Sequence, residues 1–501
     1  MRRAAPLLAV LALSLGLNSW HLDYGLPNIY SWAQDEIIPA EVLEGVALRF
    51  SSGWSSRYPP LHYGLMALAY APVRWLSEPL SVSPESKTYE RLFLSGRVVT
   101  LAMSLATLGL VALCGRELGS LAAGVFAALM LSLSPTFVYY AKFANLDVPY
   151  LCWFAGALLF LVRFLRTSAA GDAVMLSLFA ALSIGTKDQA YGLFVLVAPL
   201  VAWKLQPSRA GFLWPALAFG VTFAAAHNLL FDWSGFWAHV TLISGDASRD
   251  YRMFEKSLAG QWAMLKLMGG LTVFVLGAPA MLMALAGIAV AARRRESRLL
   301  TALLPIASSQ LFFSAPVLYG YDRFALPHAL VLALFAGRAV VACPPLPRLV
   351  LATVLVIVGL PRAAAVDLML SRDARYEAER WLQTNAAPPA RVAALGPLEY
   401  MPRFDGLDWK QRTELVRAIE GMHPDFVVVN ADFAARAEDP RARELYAVLD
   451  SGALGYERRF ATRTRFDWPF TLDAEVRRDP AALPTNLDKI NPEIRVYARR
   501  K

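Results

Sequence analysis

The sequence predicts a polytopic α-helical membrane protein of about 11 spans, with a re-entrant or surface helix in its first outer loop and a small C-terminal α/β soluble domain. Of its 501 residues, 56% are hydrophobic and only 18% are charged, which is far more apolar than a soluble protein of this size. Apolar stretches long enough to cross a bilayer recur up to residue 366. The sequence then becomes charged and proline-punctuated, as in a soluble domain.

The membrane domain is predicted over residues 1–366, where each apolar stretch of about 17 to 25 residues is interpreted as one span. The first stretch has a basic start and an apolar core but no small-x-small cleavage site, which predicts an uncleaved first span. The predicted spans lie near residues 4–20, 92–114, 119–135, 148–166, 172–186, 189–205, 211–231, 266–291, 299–318, 324–342 and 349–366.

Arginine and lysine in the short loops predict the orientation, because these residues favour the cytoplasmic side of a membrane. All of the basic clusters fall on one side if the segment 61–75 does not cross, so this segment is predicted to be a re-entrant or surface helix. The N-terminus is then cytoplasmic. The outer face receives a first loop over residues 21–91 and everything after residue 366.

The net charge of +9 does not indicate a nucleic-acid partner, because the basic residues lie mostly at the ends of apolar stretches and in the last third of the chain. They form no clustered basic face. The three cysteines match neither a disulfide framework nor a zinc site, and are interpreted as packing residues. Membrane lipids are the expected surroundings.

Residues 367–501 are predicted to form a periplasmic α/β domain. Its predicted strands are the short apolar runs "RVAAL" at 391–395, "FVVVN" at 426–430 and "IRVYA" at 494–498. Helical patterns such as "YEAERWLQ" separate them.

An acidic pair in the first outer loop, "WAQDEIIP" at 32–39, is the first candidate for chemistry. Neighbouring residues of a loop point in different directions, so Asp35 and Glu36 are expected to have separate roles. One carboxylate can take a proton from an attacking hydroxyl. The alternative is that the pair caps the surface helix predicted for the following segment, "AEVLEGVALRF".

Two further motifs lie where predicted spans meet the outer face. In "RYPPLHY" at 57–63, Arg57 is a candidate phosphate ligand or a headgroup anchor, and His62 a hydrogen-bonded structural residue or a ligand contact. In "NLDVP" at 145–149, Asp147 either caps the next helix or acts as a second carboxylate. As such, it would orient an acceptor, hold a divalent cation or pair with a basic residue.

Three cationic positions complete the outer-face set. Lys187 of "GTKDQA" either neutralises Asp188 or faces a lipid phosphate. Arg323 belongs to "YGYDRF" at 319–324. Arg97 lies inside a predicted span and therefore needs a partner or a path to the membrane surface.

These motifs, taken in order, resemble one family. The acidic pair, "YPPLHY", "RLFLSGRVVTL", "LCGRELGSLAAGVFAALMLSLSPTFVYYA", "NLDVP", "GTKDQA" and "YDRFALPHALVLALFAG" together resemble the membrane glycosyltransferases of the C-type fold. Within that fold they resemble bacterial relatives of the protein O-mannosyltransferase and aminoarabinose-transferase group, glycosyltransferase family 39. The resemblance covers residues 5 to 345.

The resemblance implies an inverting glycosyltransferase of the bacterial inner membrane. Such an enzyme moves a hexose or pentose from a polyprenyl-phosphate donor to a lipid, glycan or protein acceptor on the outer face. The family's acidic motifs fall on Asp35, the candidate general base, on Glu36 and on Asp147. The predicted site also contains candidate donor-phosphate ligands, Arg57, Lys187, Arg323 and Arg97, and candidate acceptor or sugar contacts, Tyr58, His62, Tyr319 and Tyr321.

No cofactor is certain from the sequence. A divalent cation is an open alternative, with Asp35 and Asp147 as its possible ligands. The function has two rivals: a polytopic lipid or solute transporter, and a non-catalytic scaffold. A transporter usually places ionisable residues near the bilayer midplane and shows repeated halves, whereas here the acidic residues lie at span ends and no repeat is visible.

Overall fold

The computed structural model describes residues 5–28, 30–51, 54, 58–76, 87–205, 209–245, 249, 251–386, 390–412, 423–435 and 440–500. The chain divides into two compact units. The first unit contains Met1–Leu22, Ile37–Ala364 and Asp479–Thr485, and the second contains Asp23–Glu36, Ala365–Arg478 and Asn486–Lys501. The sequence predicts a single division after residue 366 and does not indicate that Asp23–Glu36 groups with the second unit.

The first unit is built of helices. They are α1 (Ala5–Ser19), α2 (Pro39–Ala47), α3 (Leu61–Leu76), α4 (Lys87–Glu117), α5 (Leu121–Ser132), α6 (Pro135–Lys142), α7 (Asp147–Thr167), α8 (Ala170–Thr186), α9 (Val197–Leu205), α10 (Arg209–Ala226), α11 (Trp233–Ser244), α12 (Leu258–Leu276), α13 (Ala278–Arg293), α14 (Ser297–Val317), α15 (Leu326–Ala342) and α16 (Pro345–Ser371). The last of these continues into the second unit.

The apolar helices indicate a multi-pass membrane protein. Within the described ranges, six helices are long and apolar enough to cross a membrane, or seven if α5 and α6 are one bent span. Four shorter apolar helices accompany them. Helix α16 shows why a membrane is needed, because its exposed side chains include Leu346, Leu349, Val350, Val354 and Ile357. The count of 11 spans stays a prediction.

Helices α4 and α5 pack so closely that only glycine fits between them. A Cβ atom on Gly124 would lie 2.4 Å from the carbonyl oxygen of Ala112. A Cβ atom on Gly115 would lie 2.3 Å from the Cα atom of Gly124. Small residues of this kind allow membrane helices to approach by their backbones, where van der Waals packing replaces the missing hydrophobic drive.

Three predicted spans are not single straight helices. The stretch 266–291 divides into α12 and α13 at Gly277, whose φ is +87°. The next helix begins at Ala278 and has Pro279 in its first turn. The stretch 119–135 bends by 74° between α5 and α6, where Ser134 caps α6 and Pro135 opens it. The stretch 189–205 begins as the 3₁₀ helix Asp188–Leu193 and becomes α-helical only at Val197.

The second unit contains a five-stranded mixed sheet of order β2-β1-β3-β5-β4. Its strands are β1 (Arg391–Leu395), β2 (Asp408–Arg412), β3 (Phe426–Asn430), β4 (Tyr456–Thr462) and β5 (Ile494–Arg499). Strand β1 pairs in parallel with β2 and β3, whereas β5 pairs antiparallel with β3 and β4. The three predicted strands are confirmed as β1, β3 and β5.

Helices cover both faces of this sheet, as in an α/β unit. They are α17 (Ala374–Asn385), α18 (Ala431–Ala435), α19 (Pro440–Asp450) and α20 (Leu472–Arg478). On one face, Val392 and Val428 pack with Leu382 of α17. On the other face, Val427 packs with Leu445 of α19. Strands β1 and β3 are buried on both sides, which explains why they are continuous apolar runs.

Candidate active site

A buried ion pair joins two of the predicted motifs in the first unit. The Nζ atom of Lys187 lies 2.7 Å from Oδ1 of Asp147, and the two side chains are 5% and 3% exposed. Helix α7 begins at Asp147, but its N-cap is Leu146 and no side chain caps it. The capping role predicted as an alternative for Asp147 is therefore wrong, and the alternative of pairing with a basic residue is confirmed.

The turn before α7 positions Asp147 by its own hydrogen bonds. The backbone N–H of Asp147 donates to Oδ1 of Asn145 at 2.8 Å. The amide group of Asn145 donates in turn to the carbonyl oxygens of Tyr140 and Phe143. A buried turn needs such partners for its polar groups. Asn145 therefore fixes the turn that places the carboxylate of Asp147 beside Lys187.

Aromatic rings enclose the Lys187 ammonium group. The ring centroids of Tyr58, Tyr150 and Phe324 lie 5.7, 5.8 and 5.8 Å from Nζ. The faces of aromatic rings attract cations, most strongly where water is excluded. Four motifs that are distant in sequence thus meet at one point. We call Tyr58, Asp147, Tyr150, Lys187 and Phe324 the lysine–aspartate cluster.

Asp188 does not neutralise Lys187, although the two are neighbours in sequence. Its Oδ2 atom lies 2.9 Å from Nε2 of His239 on α11. The alternative prediction that Lys187 and Asp188 neutralise each other is therefore wrong. His239 is not predicted from the sequence, because a histidine in a long predicted loop has no spacing signal that connects it to a distant aspartate.

The segment before α15 adds a second buried carboxylate and a cation. Asp322 is fully buried, and its Oδ2 atom accepts hydrogen bonds from the hydroxyl groups of Thr136 at 2.9 Å and Thr485 at 2.7 Å. The guanidinium group of Arg323 lies over the rings of Tyr321 and Phe324 at 4.6 and 5.6 Å. Arg323 and Lys187 thus both lie against the ring of Phe324.

Tyr319, a predicted acceptor or sugar contact, packs among other aromatic residues. Its ring centroid lies 5.6 Å from that of Phe324 and 6.2 Å from that of Tyr321. Of the predicted sugar contacts, Tyr58 lies directly beside Lys187. The ring of Phe324 lies between Lys187 and Tyr319, and Tyr321 follows Tyr319. Their role in ligand binding stays a prediction.

The remaining predicted cations and His62 have different surroundings. Arg97 is fully buried and donates to the carbonyl oxygen of Leu22 at 2.5 Å, so the partner required for a cation inside a span is present. His62 is also fully buried, and neither of its ring nitrogens has a hydrogen-bond partner within the described part of the chain. The hydrogen-bonded structural role expected for His62 is not observed. Arg57 lies outside the described residues.

The candidate base, Asp35, belongs to the second unit. Its φ angle is +63°, in the left-handed region that non-glycine residues seldom adopt. Its Oδ2 atom accepts a hydrogen bond from Nδ2 of Asn486 at 2.6 Å. The neighbouring Glu36 accepts a hydrogen bond from the hydroxyl of Ser31. That Asp35 and Glu36 have separate roles stays a prediction.

Asp35 and Glu36 do not cap the following helix. The N-cap of α2 is Ile38, and no side chain makes a capping hydrogen bond there. The helix begins at Pro39 instead. Proline suits this position, because the first backbone N–H groups of a helix have no partner within it and proline has no N–H group. The capping alternative for the acidic pair is therefore wrong.

Asn486, which contacts Asp35, and Lys489, which contacts Asn486, are not predicted from the sequence. Nζ of Lys489 donates to Oδ1 of Asn486 at 2.9 Å, which fixes the orientation of the amide that donates to Asp35. Burial raises the pKa of Tyr400, and the carboxylates of Glu399 and Asp35 raise it further. Asn486 and Lys489 follow the last helix of the chain in "TNLDK", a polar segment without a recognisable motif.

Metal ligation was the open alternative for Asp35 and Asp147. Among the residues that the structure describes, no group of three or more His, Cys, Asp or Glu side chains could hold a metal ion. The observed partner of Asp147 is Lys187.

Comparison with known proteins finds similarity in structure only. No protein-family model and no curated protein sequence matches the chain. Three solved structures illustrate the similarity. ArnT from Cupriavidus metallidurans, bound to undecaprenyl phosphate, is 12% identical with a TM-score of 0.48, and the match covers 99% of this chain and 97% of ArnT.

The other two structures are an oligosaccharyltransferase and a protein O-mannosyltransferase. The archaeal oligosaccharyltransferase AglB from Archaeoglobus fulgidus, in complex with an inhibitory peptide and a dolichol-phosphate, is 13% identical with a TM-score of 0.45, and the match covers 92% of this chain and 73% of AglB. The S. cerevisiae Pmt1-Pmt2 complex bound to the sugar donor is 15% identical with a TM-score of 0.34, with 48% and 33% covered.

All three are membrane glycosyltransferases of the C-type fold, the fold that the sequence motifs resemble. At identities of 12–15% and TM-scores of 0.34–0.48, the matches assign no activity to this chain. The proposals below rest on its own residues.

Proposed function

We propose that this protein is an inverting glycosyltransferase that moves a sugar from a polyprenyl-phosphate donor to a lipid, glycan or protein acceptor. The reaction takes place at the outer face of a bacterial inner membrane. The ordered motifs of the sequence support this reaction class. A hydroxyl acceptor requires a base, and an anionic leaving group requires cations at a lipid-facing site.

The observation that carries the proposal is the backbone of Asp35. A non-glycine residue held in the left-handed region costs roughly 1 kcal/mol or more, and such residues cluster at functional sites. The surroundings must hold it there, and Asn486 supplies a hydrogen bond to its carboxylate. Asp35 does not cap α2, so helix capping does not explain its left-handed backbone.

In the proposed reaction, the acceptor oxygen attacks the anomeric carbon from the side opposite the phosphate. Asp35 takes the proton of the acceptor hydroxyl as the new C–O bond forms. The bond between the anomeric carbon and the phosphate oxygen breaks, and polyprenyl phosphate leaves with the electron pair. One displacement inverts the anomeric centre, so no enzyme nucleophile is needed. Glu36, which accepts a hydrogen bond from Ser31, is assigned a supporting role beside the base.

Lys187 and Arg323 are the proposed contacts of the donor phosphate. An ammonium group has three N–H donors, of which one is directed to Asp147. In this assignment, Asp147 keeps Lys187 charged and oriented in a buried place, where an isolated cation would be unfavourable. Arg323 contributes a guanidinium group that binds phosphate oxygens in a forked geometry.

Transfer of a radiolabel tests the proposal. The full chain, reconstituted in liposomes with an envelope fraction as acceptor, is given polyprenyl-phosphate hexoses and pentoses labelled in the sugar. We expect label to appear in a new product, and Asp35→Asn to lower the transfer rate by roughly 10²- to 10⁴-fold while insertion is unchanged. Asp23→Asn, an exposed aspartate of the same loop, is the matched control.

Three results would speak against the proposal. Label that changes leaflets without changing molecule identifies a transporter instead. Wild-type turnover in Asp35→Asn removes Asp35 from the mechanism. A product that retains the anomeric configuration excludes the single displacement.

A further inference from the structure

A cavity of 490 Å³ lies in the first unit beside the lysine–aspartate cluster. One of its walls comes from the first outer loop, with Phe50, Trp54 and Tyr58. His239 and Phe236 of α11 also line the cavity. The volume is in the range of pockets that hold small ligands.

Of the two described histidines that line the cavity, His227 and His239, the second is held by a carboxylate. Nε2 of His239 donates to Oδ2 of Asp188 at 2.9 Å, and the two side chains are 13% and 19% exposed. The other ring nitrogen, Nδ1, makes no hydrogen bond to any residue that the structure describes. The carboxylate fixes the orientation of the ring, and Nδ1 can then meet a hydroxyl group, which both donates and accepts hydrogen bonds.

Tyr58 connects this cavity with the proposed transfer site. Its ring lines the cavity and also lies 5.7 Å from Nζ of Lys187. Asp188, which orients His239, directly follows Lys187 in sequence. A ligand in the cavity is therefore separated from Lys187 by the ring of Tyr58.

We propose that this cavity binds a sugar ring and that Nδ1 of His239 makes a hydrogen bond with one of its hydroxyl groups. Sugars combine apolar C–H faces, which pack on aromatic rings such as Trp54 and Tyr58, with hydroxyl donors, which need polar partners. Asp188 is the positioning residue that orients the ring of His239. The inference deepens the proposed function, on which it rests, by assigning sugar specificity to His239 and Asp188, which are not among the predicted site residues.

The sugar has two sources in the proposed reaction, the donor and a glycan acceptor, and kinetics distinguish them. Replacing a hydrogen bond to a neutral partner with a poorly placed one weakens binding by roughly fivefold to tenfold. We expect His239→Gln and Asp188→Asn to raise the KM of one substrate by that factor and to change kcat much less. A higher KM for the donor places the donor sugar in the cavity, and a higher KM for the acceptor places the glycan there.

Trp237→Ala is the matched control, because Trp237 is on the same helix but is exposed and outside the cavity lining. It should insert and turn over like the wild type. A general disturbance of α11 would impair the control and the His239 variant alike, and that result would overturn the assignment of His239.

Chemical protection provides a readout that needs no turnover. Diethylpyrocarbonate modifies accessible neutral imidazoles, and mass spectrometry of the peptide containing His239 measures its rate in the wild-type full chain. Polyprenyl-phosphate sugars and a panel of methyl glycosides are the probes. We expect at least one sugar ligand to slow the modification, whereas polyprenyl phosphate without sugar should not.

The outcomes separate this inference from the proposed function. Transfer activity without protection, or with unchanged KM values in His239→Gln, overturns the cavity assignment and leaves the reaction class standing. Protection without transfer supports the sugar site while the reaction class fails. Equal protection by polyprenyl phosphate with and without its sugar overturns the assignment in favour of a carrier-lipid site.

Discussion

Replacing Asp147 with Asn should leave the ammonium group of Lys187 buried without its counter-charge. The two groups are 2.7 Å apart, and both side chains are almost fully buried. Two unit charges at that distance interact by about 6 kcal/mol at an effective dielectric constant of about 20. Measured losses on removing one partner of a buried pair are about 3–5 kcal/mol, because the remaining charge is desolvated and unpaired.

Lys187→Met should be destabilising for the same reason, since Asp147 then loses its cation. The double variant Asp147→Asn/Lys187→Met removes both charges and places an apolar side chain among the rings of Tyr58, Tyr150 and Phe324. We expect it to lose less stability than either single variant. The coupling free energy between the two sites should be at least about 2 kcal/mol.

Two native cysteines can report the unfolding. Cys114 of α4 and Cys152 of α7 are free and buried, so a thiol-reactive fluorophore labels them only after these helices separate. The partly exposed Cys343 is first replaced with Ser in every variant. An SDS titration in mixed micelles then yields the free energy of unfolding. The prediction is refuted if the double variant loses as much unfolding free energy as the two single variants together.

Three other predictions test separate parts of the structure. Asn486→Ala should lower kcat by roughly tenfold with little change in KM, because the amide positions Asp35; an unchanged kcat in the transfer assay contradicts this. Tyr24→Phe should cost about 1–3 kcal/mol of stability through the lost hydrogen bond to Asp373. Burial raises the pKa of Tyr24, so the free energy of unfolding of the wild type should fall as pH rises above the unfolded-state pKa of about 10. Denaturation measured below and above pH 10 should show a shallower fall for the variant. Gly124→Ala should reduce the yield of monodisperse protein on gel filtration, whereas Gly109→Ala, whose added Cβ meets nothing within 4 Å, should not.

The fold could be predicted where apolar patterning is continuous. Helices α4, α7 and α15 coincide with predicted spans, because an apolar segment of that length must satisfy its backbone internally in a bilayer. The junction at Gly277 was missed, because apolar residues continue on both sides of it. Hydropathy measures the length of an apolar stretch and is insensitive to a change of direction within it.

The sheet shows the same division. Buried strands β1 and β3 were recognised as apolar runs. The edge strands β2 ("DWKQR") and β4 ("YERRFAT") were not predicted, because their charged side chains hide the strand pattern. Charged edge strands protect a sheet from pairing with another chain, so the feature that hides them from sequence reasoning is useful to the fold.

The candidate residues could be identified from local motifs, but their partners could not. Asp147, Lys187 and Arg323 were selected because each follows or precedes an apolar run. That Lys187 pairs with Asp147, 40 positions away, and not with Asp188 depends on how α7 and α8 pack. His239 and Asn486 lie in segments without a motif, so only tertiary contacts with Asp188 and Asp35 distinguish them.

Composition and periodicity along the chain predict a helical membrane protein, its apolar helices, its central strands and the charged residues at the ends of its spans. Both properties depend on near neighbours in sequence. Which charges meet, which aspartate has a left-handed backbone and where a cavity opens are visible only in the tertiary structure. Those outcomes depend on distances between residues far apart in sequence, and packing sets such distances through the combined shapes of many side chains.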